Sequence, residues 1–331
     1  MPYLRQLPRV SIQRGIDFAI ISHADRDHFM GYPDVIAAGY DIRVANFEPG
    51  TDKRTGAFKK HALDPSKRTG AGSFTAVPLG FPIPLGDGAR ALVVAANGKV
   101  IGEVERAPNR RERAPRLNEN DRSIALFIEY RKFHYMIDGD LGSGPEACTR
   151  HVTNQRAIQP RVAQALLRQG LITLKHGVDV LHIAHHGSES STSADYFNLM
   201  KPEVGIISVG LKQGSFRHPR KAVVENVLTC ITGDQKFSDE ACRSRDTRAR
   251  CVKAPPLKGL FQTDNGTEQG CTQADPHCVS YIGIAGGNLV LVTNGRDDYT
   301  ITVDGNLMQA DTRPNVVPSG TWRFDFDEGI R

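Results

Sequence analysis

The chain has 331 residues, of which 39% are hydrophobic and 24% charged, with a formal net charge of +5. That length can bury a sizeable core, as one large α/β domain or one domain with an appendage, and the composition is ordinary for a globular protein. No apolar run approaches the roughly 20 residues of a membrane helix, and MPYLRQLPRVSIQRG at the N-terminus has no continuous apolar core of a signal peptide.

Met1 to Arg14 offers a short helix leading into Ile16 to Ile21, a β-branched apolar run of strand length. This strand ends in a dense polar loop, SHADRDHFMG, in which His23, Asp25, Asp27 and His28 fall within six residues. Imidazole and carboxylate together suit borderline to hard divalent metals. Taken alone, the segment fits a solvated acidic turn before a helix equally well. Tyr32 to Gly39 reads as a helix, Ile42 to Asn46 as a strand, and Glu48 to Gly72 as a polar, basic loop. Phe74 to Leu79 and Ala89 to Ala95 read as a hairpin about the Gly86–Gly88 turn. Arg110, Arg111, Arg113 and Arg116 lie in a charged run that reads as a solvated loop before it reads as a polyanion site.

Ser123 to Tyr130 and Lys132 to Ile137 form a tight hairpin about Arg131, and the second strand runs into Asp138-Gly139-Asp140. Gln159 to Gly170 is helical, with Val162, Leu166 and Leu167 on one face. Val178 to Ala184 is a buried strand that ends at His185-His186-Gly187-Ser188. A strand over Glu203 to Val209, a helix over Pro219 to Leu228 and a strand over Gly259 to Gln262 follow. Asn288 to Thr293 and Tyr299 to Val303 pair around Asn294-Gly295, a type I′ turn signal. The residues from Pro314 onward, acidic and aromatic in patches, read as a tail.

Three separate strand ends thus carry His and Asp. They converge only if those strands lie side by side with their ends on one edge, so the alternation of strands and helices favours a metal site. SHADRDH with Gly31, the strand ending in DGDL, and HIAHHGS resemble the metallo-β-lactamase-fold hydrolases. The closer match is the branch typified by the soluble domain of the DNA-uptake channel protein ComEC/Rec2, which has H-x-D-x-D-H where most of the superfamily has H-x-H-x-D-H. Asn120 to Ser123 before a strand, His218-Pro219 before a helix, and Thr263-Asp264 near a glycine line up in the same order.

The resemblance implies an αββα sandwich over about residues 1–303, with a Cys-rich insertion at about 230–278 and a C-terminal tail over 304–331. It implies one or two divalent ions, Zn or Mn. His23 and Asp25 would serve the first, Asp27 and His28 the second, with Asp140 bridging and His185 completing the second site. Asp138 would support the site from behind. His186 is the weaker of the adjacent pair, because neighbouring strand-end residues point in different directions. The superfamily's further His before the DGDL strand is replaced here by Asn120, Asp121 and Ser123. That thins the first metal's ligands, and the carboxylate-rich set leans towards Mn. Family members also open with strands carrying a DVGQGD-like segment, none of which precedes Ile16. The sandwich is therefore expected to lack its first N-terminal strands.

Asp27, among the ligands, and His218 are the candidate catalytic residues, His218 standing in a cluster with Lys212, Arg217, Arg220 and Lys221 that suits phosphate oxygens. The expected function is hydrolysis of a phosphodiester or related anionic ester, the partner an anionic substrate and possibly nucleic acid. An acyl or lactone hydrolase on the same fold, or a catalytically weak binding protein, stands as the alternative. Cys230, Cys242, Cys251, Cys271 and Cys278 contain no C-x-x-C pair, so a structural zinc site is poorly supported. Free thiols fit the cytoplasmic location read from the chain as written; disulfides would fit an exported protein whose N-terminus is truncated.

Overall fold

The computed structural model describes residues 12–50, 58, 73–104, 117–144, 156–188, 190–210, 218–220, 223–224, 257–264, 283–285, 287–304 and 319–326. Fifteen strands and four short α-helices alternate along them. β1 (Ile16–Ile20) is followed by α1 (Arg26–Phe29) and α2 (Gly31–Ala37), then β2 (Ile42–Glu48) and β3 (Phe74–Ala76). These three strands form a parallel sheet in the order β1-β2-β3.

The second sheet is the body of the molecule. It contains β4 (Pro82–Gly86), β5 (Ala89–Ala96), β6 (Lys99–Val100), β7 (Ala125–Tyr130) and β8 (Phe133–Ile137). It continues with β9 (Val180–His182), β10 (Val204–Ile207), β11 (Gly259–Gln262) and β12 (Gly283–Ala285), in the order β12-β11-β10-β9-β8-β7-β5-β4 with β6 against β5. β4 to β8 pair antiparallel; β8 to β12 are parallel. A third sheet, β13 (Leu289–Thr293), β14 (Asp298–Val303) and β15 (Gly320–Asp325), is an antiparallel meander.

Side-chain alternation divides the large sheet into two apolar faces. Phe127 on β7, Met136 on β8 and Leu181 on β9 point to α3 (Ile158–Arg168) and α4 (Ala194–Met200), packing on Val162, Leu166, Tyr196 and Phe197. The opposite face meets the first sheet at one end, where Leu126 and Ile128 pack with Phe18, Ile20 and Phe47. At the other end it meets the third sheet, where Phe133, Val180 and Phe261 pack with Tyr299, Ile301 and Phe324. α1 and α2 cover the outer face of the first sheet through Phe29 and Tyr32, which pack with Ile42 and Phe74. The layering is αββα, with the second β-layer divided between two small sheets. Among the described residues, β1 has one strand neighbour, β2.

The structure departs from the sequence reading at three places. The hairpin partner of β5 is β4, while Phe74–Ala76 joins β2 in parallel. Two prolines, Pro82 and Pro84, hid β4; both are tolerated because β4 is an edge strand with a side free of ladder bonds. The loop at Asn294 has four residues, Asn294 to Asp297, and Asn294 Oδ1 accepts from the N–H groups of Arg296 and Asp297. Gly295 serves close approach there: a Cβ would lie 2.5 Å from the Tyr130 carbonyl oxygen. β15 falls in the stretch expected as a tail after Val303, yet it pairs with β14 and buries Phe324 and Phe326. β11 stands at the bounds expected for it, Gly259–Gln262, wholly buried between β10 and β12. The five cysteines themselves, and Lys212, Arg217 and Lys221, lie outside the described residues.

Candidate metal centre

β1, β8 and β9 deliver the functional side chains from their carboxyl ends. β1 and its polar exit belong to the first sheet; β8 and β9 are adjacent and parallel in the second. The two layers face each other, so the loops after these strands meet at one edge, where open α/β sheets build their sites.

Asp140 lies at the middle. Its Oδ2 is 3.2 Å from Nε2 of His28, 3.7 Å from that of His23, 3.8 Å from that of His185 and 3.9 Å from that of His186. Among the described residues, two groups have ligand atoms close enough to share an ion: His23, His28 and Asp140; and Asp27, His28 and His186. Asp25 stands at the rim, its Oδ2 3.5 Å from His23 Nε2. Asp27 is exposed, its Oδ2 3.1 Å from His186 Nε2 and 3.6 Å from His28 Nε2. His185 has Nε2 3.5 Å from Asn120 Nδ2 and Nδ1 2.9 Å from Ser190 Oγ.

Both histidines of the His185-His186 pair face the centre. The alternation that sets His186 aside holds for extended backbone, and here there is none. His185 (φ 52°, ψ 42°) and His186 (φ 55°, ψ 24°) are both left-handed, turning the chain so sharply that both rings reach Asp140. Such backbone costs a non-glycine residue about 1–2 kcal/mol. It is held by the His185 N–H bond to the Gly139 carbonyl (3.1 Å) and by His186 Nδ1–H donating to the Ser208 carbonyl (2.7 Å). Gly187 follows with φ +77°, and a Cβ there would lie 2.7 Å from Pro219 Cβ; its carbonyl accepts from Arg220 N–H. This contact brings His218, buried, to a ring-centroid distance of 5.4 Å from His185 and 6.2 Å from His186.

Behind the ligands stand groups that the motif spacing did not reveal. Ser22 Oγ is 3.1 Å from Nδ1 of both His23 and His28, and Ser123 Oγ is 3.2 Å from His23 Nδ1 while accepting from Asp140 N–H at 3.0 Å. Glu119 accepts from Ala24 N–H (2.8 Å), pinning the ligand loop. Asp138 points into the helix layer, where Oδ2 accepts from Tyr196 Oη (2.6 Å) and Gln159 Nε2 (2.7 Å). Only adjacency to the motifs could have flagged the two serines.

The electrostatics favour positive charge at the centre. Burial raises the Asp140 pKa, but the hydrogen bond with His28 and the fields of His185, His28 and His23 outweigh it and hold the carboxyl well below the usual range. The hydrogen bond to His186 draws Asp27 down to about 2. His186 is lowered by burial, but Asp27 and Asp140 lift it to about 9. Desolvation keeps His185 low, and with its imidazole neighbours brings His218 to about 3. The donor set fits a divalent cation. His23 Nε2 is buried, lies 3.5 Å from Asp25 Oδ2 and 3.7 Å from Asp140 Oδ2 and makes no hydrogen bond of good geometry, a costly arrangement for a polar atom that a cation shared with the two carboxylates would relieve.

An αββα sandwich with a His/Asp centre at the carboxyl ends of its strands is the class that fold and site define. A segment of 108 residues, 33% of the chain, is 27% identical to the ComE operon protein 3 of Bacillus subtilis (strain 168), of which it spans 11%. Among solved structures, the metallo-β-lactamase fold protein YhfI from Bacillus subtilis is similar over 60% of this chain and 65% of its own, at 11% identity and a TM-score of 0.32. CmlA, a diiron β-hydroxylase from Streptomyces venezuelae, is similar over 61% of this chain and 36% of its own, at 10% identity and a TM-score of 0.32. No family model matches the chain. No helix among the described residues is long and apolar enough to cross a membrane.

Proposed function

We propose that the protein is a metal-dependent hydrolase of the metallo-β-lactamase fold, related to the ComEC-like branch and acting on a phosphodiester or another anionic ester. The observation that carries this reading is the Asp140 carboxylate, with four imidazole Nε2 atoms from two other strand ends within 3.2–3.9 Å of it. The identity shared with ComE operon protein 3 supports the branch.

His23, His28 and Asp140 would hold one divalent ion, Zn or Mn; Asp27 and His186, with His185 beside them, would hold a second. His28 Nε2 belongs to both groups and has one lone pair, so it serves one ion only. When bound, the metal supplies hydroxide near neutral pH and polarises the scissile group. The chain's own residues do the positioning. Asp27, ionised and exposed at the mouth, orients the incoming water. His218, whose pKa is pushed down to about 3 by burial and the nearby imidazoles, would contact substrate or pass a proton to the leaving group. Arg220, two residues on, is the described member of the basic cluster that suits an anionic substrate such as nucleic acid.

Elemental analysis of purified protein, wild type beside Asp140→Ala, tests the reading, followed by a screen of model phosphodiesters against lactones. One to two equivalents of Zn or Mn, lost in the variant, with turnover of phosphodiesters alone, is the expected result. A folded wild type that takes up no divalent metal would overturn the hydrolase; turnover of lactones alone would move the substrate to acyl chemistry.

A further inference from the structure

We propose that Gln159 is a positioning residue for the metal centre: its buried side-chain amide clamps the loop that carries Asp140 to the loop that follows His185, so that the two side chains face one point. The inference deepens the metal-centre reading and rests on it for its purpose. The clamp itself can be read in metal-free protein.

Gln159 stands in the first turn of α3, wholly buried, with both ends of its amide occupied. Oε1 accepts from Thr192 N–H (2.6 Å) and from Ser143 Oγ (2.5 Å), and Nε2 donates to Asp138 Oδ2 (2.7 Å). A backbone N–H can only donate, so the amide atom facing Thr192 is the oxygen and the NH2 group faces the carboxylate. Ser193 N–H donates to Ser143 Oγ (3.0 Å), which leaves the Ser143 proton for Gln159 Oε1. Neither isostere serves both ends. Glutamate puts a second carboxylate against Asp138, and methionine leaves the buried Thr192 N–H without an acceptor.

The partners of the amide lie on two strand exits. Asp138 and Ser143 bracket Asp140 in the loop after β8. Thr192 lies two residues beyond Ser190, whose Oγ is 2.9 Å from His185 Nδ1. The backbone adds a bond from Ser143 N–H to the Ser190 carbonyl (2.9 Å) and one from Gln159 N–H to the Gly142 carbonyl (3.1 Å). Thr192 is in left-handed backbone (φ 52°), so the turn that sets Ser190 behind His185 depends on its bond to the amide. Gln159 lies on the helix side of the large sheet, so its effect on a metal passes through the two loops.

Two measurements test the clamp. In metal-free Gln159→Met, amide hydrogen exchange at Thr192 is expected to be about tenfold faster than in wild type, the loss of one hydrogen bond, with a smaller change along β7 and β8. In protein loaded with Co(II), Gln159→Met and Gln159→Glu are expected to bind the ion roughly 10-fold more weakly and to change its visible ligand-field absorption. Phe324→Ala, which is destabilised in the core of the third sheet, is expected to keep the wild-type spectrum and affinity, and so separates positioning from a general loss of stability. A folded Gln159→Met with wild-type spectrum and affinity, or with Thr192 exchange that moves no more than that of β7 and β8, overturns the proposal. If neither Gln159 variant folds, Ser143→Ala decides, because it removes one of the bonds to Oε1: a smaller change of the same kind supports the clamp, and an unchanged Co(II) spectrum overturns it. If wild type takes up no Co(II) while the exchange pattern is as expected, the metal reading fails and the clamp between the two loops stands.

Discussion

Gly139, between the two aspartates after β8, is predicted to tolerate no side chain. Its φ is +56°, and a Cβ would sit 2.9 Å from Ser123 Cβ, 3.0 Å from Ser123 Oγ and 3.2 Å from Ser22 Cβ. Gly139→Ala therefore meets two separate penalties. Left-handed backbone costs an alanine about 1–2 kcal/mol, and forcing a methyl into a packed site costs about 1–3 kcal/mol. The sum is roughly 2–5 kcal/mol. In a chain of this size, each kcal/mol moves Tm by about 2 °C, so a fall of roughly 4–10 °C is expected. Gly170 supplies the control: its φ is +69°, but nothing lies within 4 Å of the Cβ position, so Gly170→Ala pays the backbone cost alone. Differential scanning fluorimetry of both variants, in chelator and then with Zn(II), separates the contributions. Gly139→Ala should fall further than Gly170→Ala, and it alone should lose metal affinity, because the atoms displaced are the serines that hold His23 and Asp140. Equal Tm losses with unchanged metal binding in both would refute the close-packed cradle.

Two further outcomes are expected. His182, whose Nδ1 is buried without a hydrogen-bond partner, has its pKa lowered from 6.5 to about 4, chiefly by desolvation, with the His186 charge adding. The unfolded chain takes up a proton below pH 6.5 that the folded one refuses until about 4, so stability is lost as pH falls through that window. The loss is at most about 3 kcal/mol at 1.36 kcal/mol per pH unit. Urea unfolding of metal-free His182→Leu between pH 7 and 4.5 should show a shallower loss than wild type, and identical slopes would count against the assignment. Phe324→Ala removes a buried ring stacked 5.1 Å from Tyr299 and should cost about 3–5 kcal/mol; a cost under about 0.5 kcal/mol, the usual range for a surface change, would mean that β15 is an ornament on the third sheet and not part of its core.

Much of the frame was legible because it rests on periodicity. Apolar runs such as Ile16 to Ile21 and Val178 to Ala184 are short, β-branched and followed by polar knots, and strand and site signals coincide in them. β4 was hidden by Pro82 and Pro84, since a proline inside a run argues against a central strand and says nothing about an edge. β15 was hidden by sparse alternation: Trp322, Phe324 and Phe326 repeat every second residue, but Arg323 and Asp325 between them read as a polar tail. His23, Asp25, Asp27, His28 and Asp140 stand together at one edge because the motif residues leave their strands within a few positions of the strand ends. His186 could not be ranked from sequence, because its aim depends on two successive left-handed residues and no propensity rule places histidines there. Ser22 and Ser123 carry no signal of their own; a serine beside a histidine is common, and only the distance between two rings gives it meaning.

The distribution of backbone strain argues that the centre is more than a fold remnant. Among the described residues, the non-glycine positions with positive φ are Asp87, Asn97, Arg131, His185, His186, Thr192 and Lys201. Asp87, Asn97 and Arg131 sit in hairpin turns and Lys201 caps a helix, where left-handed backbone closes the turn. His185, His186 and Thr192 close no hairpin and end no helix. At about 1–2 kcal/mol each they cost roughly 3–6 kcal/mol together, a sizeable share of the 5–15 kcal/mol that holds a typical domain folded. They persist because the surroundings over-determine them: His185 through Gly139, His186 through Ser208, and Thr192 through its N–H bond to Gln159 Oε1 (2.6 Å), which also joins the Asp138 network. Strain of this kind survives where it aims a side chain. Two of the three residues aim imidazoles at Asp140, and the third belongs to the network that holds the strand end bearing Asp140.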